Sequence, residues 1–301
     1  MSVLSITGAT GFVGKRTLDI ALAVGHRVRA LTRRPQPPRD NVVWVEGSLE
    51  DAASLAQLAS GADAVLHIAG IVNAPDLAGF VRGNVDGTAR MLAAAESAGV
   101  RRFVLVSSLA AREPRLSKYG RSKERAEGLV RESALDWTIV RPPAVYGPGD
   151  MEMLDLFKLA KRGLALLPPG GRMSAIHADD LARLLIVLAQ SDPGRVILEP
   201  DDGVEGGWSH EAFSRAVGDA VGRKIRAFAL PRAVLNAGAM LDGLFRRSGA
   251  KLTRDRVAYF CHPDWVVDPA RRPSGDLWTP QIETRAGLAA TAVWYREQGL
   301  L

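Results

Sequence analysis

Tyr119 and Lys123 are two side chains whose types and spacing could carry out acid–base chemistry. Residues four positions apart lie on one face of a helix, about one turn from each other. A free tyrosine has a pKa near ~10 and is a weak base at neutral pH, but an adjacent ammonium group favours the phenolate and lowers that pKa. Tyr119 is therefore predicted to exchange a proton with an alcohol or carbonyl oxygen. The spacing alone is common on surface helices, so its meaning depends on the surrounding sequence.

A glycine-rich segment near the start of the chain could hold phosphate groups. Gly8 permits a tight turn, Gly11 lets the backbone approach a pyrophosphate, and Gly14 allows a helix to pack closely on a strand. Free N–H groups and the helix dipole at the following helix N-terminus attract negative charge. Such a turn can also serve packing alone, but this one follows an apolar run and precedes a helical pattern. We predict a nucleotide site formed by Gly8, Thr10, Gly11, Phe12, Val13 and Gly14.

Short apolar runs that alternate with helical patterns must position these residues. Runs of this kind lack the polar alternation of a half-exposed strand, so they suit a parallel sheet that is buried on both faces. The intervening helical patterns supply the crossover connections. The predicted fold is α/β, a doubly wound Rossmann sheet of about seven strands. The predicted strands are 3–7, 27–31, 42–46, 64–68, 102–107, 137–141 and 195–199.

Two interleaved domains are predicted from the change in sequence texture. Residues 1–150 and 174–200 form the dinucleotide-binding domain, and residues 151–173 and 201–301 form a smaller, mainly helical lobe at the carboxyl edge of the sheet. One amphipathic segment of that lobe allows two interpretations, a helix on a membrane surface or a helix packed on its own lobe, and we favour the second. Its apolar residues are Val234, Ala237, Leu241, Leu244 and Phe245, and it ends in Arg246 and Arg247.

Composition excludes several classes of function. The chain has 301 residues with 39 Lys+Arg against 33 Asp+Glu, and this basic excess comes with no arginine run or aromatic platform, so no nucleic acid partner is expected. The single Cys261 excludes an internal disulfide, and the five histidines lack metal-ligand spacing, so no metal is expected. No apolar run reaches the ~18 residues needed to span a bilayer. Stable membrane insertion is therefore not expected. A cytoplasmic location is expected.

The glycine segment 7–14 resembles that of the short-chain dehydrogenase/reductase superfamily, particularly its extended, epimerase/dehydratase-like branch. Further matches follow in the order of that family and span essentially the whole chain. They are segments 67–70, 84–88, 106–108, 119–123, 141–149, 176–180 and 294–296.

The resemblance implies roles for individual residues. Ser108 is the third catalytic member beside Tyr119 and Lys123 and holds the substrate oxygen, with Ser107 as its neighbour, while Lys123 also bonds the nicotinamide ribose. His67 is expected to be a packed strand residue. The remaining positions implied to contact the cofactor are Ser48, Leu49, Ala69, Gly70, Pro142 and Val145.

The end of the second strand indicates the choice of cofactor. Family members specific for NAD carry an Asp or Glu there to bind the ribose 2′-hydroxyl, whereas this chain has Arg33 and Arg34. Two guanidinium groups can hold a 2′-phosphate by charge-assisted hydrogen bonds. The alternative is a solvated basic turn. NADP(H) is therefore predicted in preference to NAD(H).

The resemblance leaves three functions open. The leading prediction is an oxidoreductase that transfers hydride between NADP(H) and a carbonyl or alcohol carbon of a small-molecule substrate. A sugar (nucleotide) epimerase is an alternative, but the short gap between Ser108 and Tyr119 lacks its V-Y-G element; Leu109-Ala110 replaces the acidic pair of dehydratases. The other alternative is a non-catalytic NADPH-binding accessory or sensor protein, because segment 106–111 also looks like homologues of the complex I nucleotide-binding accessory subunit. The sequence is compatible with a homodimer and does not fix it.

Overall fold

The computed structural model describes residues 1–246 and 253–301, which divide into two units built from several chain segments. The first unit comprises Met1–Pro142, Ala178–Pro200 and Pro273–Trp278. The second comprises Pro143–His177, Asp201–Arg272 and Thr279–Leu301. The sequence predicts that the chain leaves the first domain after residue 150 and returns to it after residue 173. In the structure it leaves the first unit after Pro142 and returns after His177.

The strands and helices follow one another along both units. The strands are β1 (Val3–Thr7), β2 (Arg27–Thr32), β3 (Val42–Glu46), β4 (Ala64–His67), β5 (Arg102–Val106), β6 (Asp136–Val140), β7 (Ala144–Tyr146), β8 (Leu164–Leu167), β9 (Arg172–Met173), β10 (Ala175–His177), β11 (Val196–Leu198), β12 (Trp208–Ser209), β13 (Arg226–Ala229) and β14 (Asp264–Trp265). The α-helices are α1 (Phe12–Ala23), α2 (Ala52–Ala59), α3 (Leu77–Phe80), α4 (Gly87–Ser97), α5 (Lys118–Glu132), α6 (Leu154–Lys161), α7 (Ala178–Gln190), α8 (His210–Ala220), α9 (Arg232–Arg246), α10 (Arg254–Phe260) and α11 (Thr284–Glu297). A π-helix spans Val81–Asp86, and short 3-10 helices span Leu109–Arg112 and Pro269–Arg271.

The first unit is centred on a seven-stranded parallel sheet in the order β11-β6-β5-β4-β1-β2-β3. Every residue of β4 and β5 is buried, as expected for central strands without polar alternation. The order of β3 to β6 is that of a Rossmann sheet, and β11 extends it at one edge. The predicted doubly wound fold is therefore confirmed, with each predicted strand within one residue of its observed ends.

Helices cover both faces of this sheet. On one face, α2, α4 and α5 bury a core with the strands that includes Leu55, Met91, Phe103, Val130 and Ile139. On the other, α1 packs on α7, where Arg16 and Asp179 form a two-point ion pair. These contacts fix the carboxyl ends of the strands, where loops can present functional groups.

The second unit has its own core between α6, α8 and α11. Tyr146, Phe157, Phe213 and Tyr295 meet there at edge-to-face angles, and Tyr295 donates a hydrogen bond to the carbonyl of Asp150 at 2.7 Å. Short strands pair around this core as β7 with β10, β9 with β12 and β14, and β8 with β13. The sequence does not predict these pairs, because strands of two to four residues give no periodic signal.

The interpretation of the amphipathic helix α9 as packed on its own lobe stays a prediction, because three of its five apolar side chains lie outside the described residues. Val234 and Ala237 are exposed, and Ala239 is the one buried position among the side chains described between residues 232 and 242. Arg247 lies outside the described residues, as do the side chains of Leu241, Leu244, Phe245 and Arg246. Among the described helices, none combines the length and the apolar character that crossing a membrane requires.

Candidate functional site

Ser108 and Tyr119 lie together after β5, close enough for the Ser108 hydroxyl to affect the pKa of the phenol. Tyr119 stands in the first turn of α5. Ser117 caps the N-terminus of this helix, and its side chain accepts the Gly120 N–H at 2.9 Å. Ser108 precedes the 3-10 helix and accepts the Ala110 N–H at 3.2 Å. Local capping of two consecutive helices therefore places a hydroxyl next to the phenol.

Lys123 lies one turn beyond Tyr119 on α5 and is buried. Its Nζ donates a hydrogen bond to the carbonyl of Val106 at the end of β5, at 2.8 Å. Burial lowers the pKa of Lys123 to about 8, opposed by the charge of Glu127 one turn further along the helix. A Cβ built on Gly70 would stand 3.6 Å from Nζ, so the segment after β4 adjoins the ammonium group.

The pKa of Tyr119 differs in direction from the sequence prediction. Burial raises the pKa of the phenol, and the Ser108 hydroxyl offsets part of that rise. The lowering expected from Lys123 is not found, because burial disfavours the phenolate and the ammonium group is directed at the Val106 carbonyl. Tyr119 is consequently a protonated phenol at neutral pH, the form that donates a proton.

A buried charged network lies beside these residues. Glu127 accepts hydrogen bonds from Ser107 Oγ at 2.6 Å and from two guanidinium nitrogens of Arg141 at 2.7 and 2.9 Å. Arg141 also reaches Glu199 at 3.4 Å, and Arg112 lies 3.6 Å from the same carboxylate. The network ties α5 to the ends of β5, β6 and β11, and it occupies the hydroxyl of Ser107.

The turn between β1 and α1 has the features of a phosphate cradle. Gly8 adopts φ +75°, and its carbonyl accepts the Gly11 N–H at 2.9 Å. A Cβ on Gly14 would lie 1.9 Å from that carbonyl oxygen, so only glycine fits there. Helix α1 begins after Gly11 with no side-chain cap and no acidic residue in its first turn. Its first N–H groups are thus left for an anionic ligand, and the residues fit a dinucleotide pyrophosphate.

The comparisons with known proteins agree with this geometry. Residues 8–191 match the family described as NAD(P)H-binding. The chain belongs to that family. It is 38% identical to the ceramide reductase of Caulobacter vibrioides over 99% of this chain and 96% of the relative.

Solved structures show the same fold at low sequence identity. MoeE5 in complex with UDP-glucuronic acid and NAD has a TM-score of 0.74 and 22% identity, covering 99% of this chain and 100% of that one. The Bordetella bronchiseptica enzyme WbmG in complex with NAD and UDP has a TM-score of 0.75 and 18% identity, covering 100% and 96%. Both share the fold of this chain.

The extended-family positions that would face the adenosine end lie after β2 and β3. Arg33 and Arg34 are exposed, and Thr32 Oγ1 holds the Arg34 backbone by accepting its N–H at 3.3 Å and donating to its carbonyl at 2.6 Å. Ser48 is half-buried and accepts the Glu50 N–H at 3.2 Å. Leu49 adjoins Gly87, whose Cβ would stand 2.7 Å from it.

The other family positions follow strands β4 and β6. The Ala69 N–H donates to Thr7 Oγ1 at 3.1 Å, and a Cβ on Gly8 would stand 2.8 Å from the Ala69 nitrogen, so these two loops touch. The Pro142 carbonyl accepts the Leu109 N–H at 3.0 Å. Val145 belongs to β7 in the second unit. Thr10 is exposed, and Phe12 and Val13 are half-buried in the first turn of α1.

His67 is a packing residue, as predicted. It is fully buried between Thr7 and Thr88, with ring nitrogens 2.8 and 3.1 Å from their hydroxyl oxygens. Burial, followed by the charge of Lys123, lowers its pKa to about 3. In the part of the chain that the structure describes, no group of three or more His, Cys, Asp or Glu side chains could hold a metal ion.

Two further residues touch the site and are not predicted individually. The Phe80 ring lies 6.1 Å from the Tyr119 ring, centre to centre. Asn84 in the π-helix accepts the Ile71 N–H at 2.8 Å and donates to Ser122 Oγ at 2.9 Å, which links the segment after β4 to α5. Segment 84–88 matches the family, so the motif gives a signal for Asn84; Phe80 gives none.

Proposed function

We propose that this protein is an NADPH-dependent reductase that converts a ketone into an alcohol with Ser108, Tyr119 and Lys123. The observation that carries the proposal is the placement of the Ser108 hydroxyl beside Tyr119, whose pKa is raised by burial. A protonated phenol beside a hydroxyl can bind a carbonyl oxygen and give it a proton as the oxygen gains negative charge.

The cofactor is assigned to the residues of the first unit. The N-terminus of α1 and the turn at Gly8, Gly11 and Gly14 suit the pyrophosphate, and the exposed guanidinium groups of Arg33 and Arg34 suit a 2′-phosphate. When bound, the reduced nicotinamide supplies the hydride. Lys123 is assigned to the ribose hydroxyls and to supplying charge beside Tyr119.

In the proposed reaction the carbonyl carbon of the substrate accepts the hydride, and its oxygen accepts the proton of Tyr119. Ser108 holds that oxygen by a hydrogen bond and stabilises its developing charge. The products are an alcohol and NADP⁺, and Tyr119 regains its proton from solvent.

The proposed substrate class is the ketone of a ceramide-like lipid. Its support is the identity of 38% with a ceramide reductase across nearly the full length of both chains. The likeness to a UDP-glucose 4-epimerase and to a dTDP-glucose 4,6-dehydratase rests on structures that are 18% and 22% identical, which define the fold and do not define the substrate.

The test is NADPH oxidation by the purified protein with the ketone form of a ceramide, with the alcohol product identified by mass spectrometry. Tyr119→Phe is expected to lower kcat by about 10²–10⁴-fold and to keep NADPH binding, because the ring stays and the proton donor is lost. Tyr259→Phe, which removes a phenol hydroxyl from α10, is the matched control and should retain turnover.

Three results would contradict the proposal. NADPH binding without turnover on lipid ketones and on a broad panel of other carbonyls would support an accessory or sensor protein. Conversion of a sugar nucleotide without net NADPH consumption would support an epimerase. Full activity of Tyr119→Phe would show that Tyr119 is not the proton donor.

A further inference from the structure

The two-stranded sheet of β8 and β13 exposes large apolar side chains on one face. Leu164, Leu166 and Phe228 are 37%, 53% and 49% exposed. Phe228 is in register with Leu166, and Arg226 with Leu164, so the four side chains share a face. The alternate residues Ala165 and Leu167 are buried. We call this exposed surface the β8–β13 face.

Helix α9 continues the apolar surface. Only Leu230 and Pro231 separate β13 from α9, and the Leu230 N–H donates to the Leu167 carbonyl at 2.9 Å. On the helix, Val234 is 50% and Met240 is 55% exposed. Two neighbouring elements of the second unit therefore both leave apolar side chains uncovered.

The segments that form this surface carry basic residues and no carboxylates. Segments 156–167 and 220–241 contain no Asp or Glu. Their basic residues are all exposed, and among the described residues none of them takes part in an ion pair. They are Lys158, Lys161, Arg162, Arg223, Lys224, Arg226 and Arg232.

We propose that the β8–β13 face and the start of α9 dock the protein on the surface of an anionic lipid bilayer. Apolar side chains flanked by Lys and Arg match the interface between acyl chains and phosphate headgroups, where burial and charge attraction act together. The charge pattern opposes self-association, because two copies of this face would bring seven cations against seven. Nucleic acid would satisfy the cations and leave Leu166 and Phe228 without an apolar partner.

Docking goes beyond the reductase reaction proposed above and does not depend on it. It would bring the protein to a substrate held in a bilayer, if that substrate is the proposed lipid. The binding itself needs no ketone and no NADPH, so the two proposals can fail separately.

The test is co-sedimentation of the full-length protein with vesicles of phosphatidylglycerol and phosphatidylcholine, compared with vesicles of phosphatidylcholine alone. Binding is expected to the anionic vesicles and to weaken as salt is added. Lys224→Glu/Arg226→Glu should weaken binding by about tenfold or more. The matched control, Arg27→Glu/Arg125→Glu, makes the same change in net charge at exposed positions of the first unit and should bind like the wild type.

A second variant tests the apolar part. Leu166→Ser/Phe228→Ser keeps every charge and should also weaken binding to anionic vesicles, while circular dichroism and NADPH binding report that the variant folds. The proposal is overturned if the wild type does not bind anionic vesicles. It is equally overturned if Arg27→Glu/Arg125→Glu weakens binding as much as Lys224→Glu/Arg226→Glu. It is also overturned if Phe228 instead supports a dimer in sedimentation velocity, or if the face binds a DNA duplex in preference to anionic vesicles. Lipid binding without ketone reduction would refute only the proposed reaction.

Discussion

Arg141 donates two hydrogen bonds to the Glu127 carboxylate, from Nε at 2.9 Å and from Nη2 at 2.7 Å. Neither side chain is more than 9% exposed. Glu127 stands one helical turn after Lys123 and two after Tyr119, so this ion pair fixes the part of α5 that carries both residues. The loss of one member of a buried pair leaves the other charge without its partner.

Glu127→Gln is accordingly expected to destabilise the protein by about 3–5 kcal/mol, measured by chemical denaturation. It should also lower the pKa of Lys123 further, because the charge of Glu127 opposes the effect of burial there. The exposed Glu132→Gln on the same helix is the control. An unchanged pH profile of NADPH binding in a folded Glu127→Gln protein would contradict the electrostatic link.

NADPH affinity is expected to fall as pH rises through about 8. The pKa of Lys123 is lowered to about 8 by burial, so the ammonium group assigned to the ribose loses its proton near that pH. Fluorescence titration of NADPH on both sides of that pKa measures the effect. Lys123→Met should bind more weakly at low pH and show a flat profile, and a wild type with the same flat profile would disprove the assignment.

Arg33→Ala and Arg34→Ala are expected to weaken NADPH binding by about tenfold each and to leave NADH binding nearly unchanged. Each substitution removes charge-assisted hydrogen bonds to a group that NADH lacks. Isothermal titration of both cofactors measures the ratio, with the exposed Arg27→Ala as the control. Equal affinity of the wild type for NADH and NADPH would contradict the cofactor preference.

Gly14→Ala and Gly128→Ala are predicted to act in opposite directions although both glycines are helical. The new Cβ of Gly14→Ala would lie 1.9 Å from the Gly8 carbonyl oxygen, so the turn at β1 must move and both stability and NADPH affinity should fall. The new Cβ of Gly128→Ala meets only the end of the Arg131 side chain at 3.9 Å. Gly128→Ala should stabilise by about 0.5–1 kcal/mol through helix propensity. Thermal unfolding of both variants and the wild type measures whether the two stability changes have opposite signs.

Asp150→Asn is expected to gain stability relative to wild type as pH rises from 4 to 7. Burial raises the pKa of Asp150 from 3.8 to about 6, although its carboxylate accepts the N–H groups of Glu152 and Met153. A raised carboxyl pKa means that ionisation destabilises the folded state, so wild type loses up to about 3 kcal/mol across that window. Denaturation at both ends of the window tests the sign, with the exposed Asp40→Asn as control. A constant difference between wild type and Asp150→Asn would refute it.

The sequence predicts the central sheet well because each buried parallel strand is a local apolar run, and β1 and β3 match their predicted ends. Local patterns carry no information on contacts between distant segments. Such contacts form the pairing of β8 with β13. They also form the ion pairs of Arg141 with Glu127 and with Glu199. The sequence predicts the wrong direction for the Tyr119 pKa shift for the same reason, since spacing shows the nearby lysine and does not show how burial shields the phenol from water.

The position of β11 has a consequence for synthesis on the ribosome. β6 pairs with β5 on one side and with β11 on the other, and β11 follows only after 143–177 have been made. Until then β6 is an open sheet edge, a surface that favours pairing with other chains, and Arg141 lacks Glu199. The nascent nucleotide-binding unit is thus most exposed to aggregation in that interval and would gain most from a chaperone that covers a strand edge.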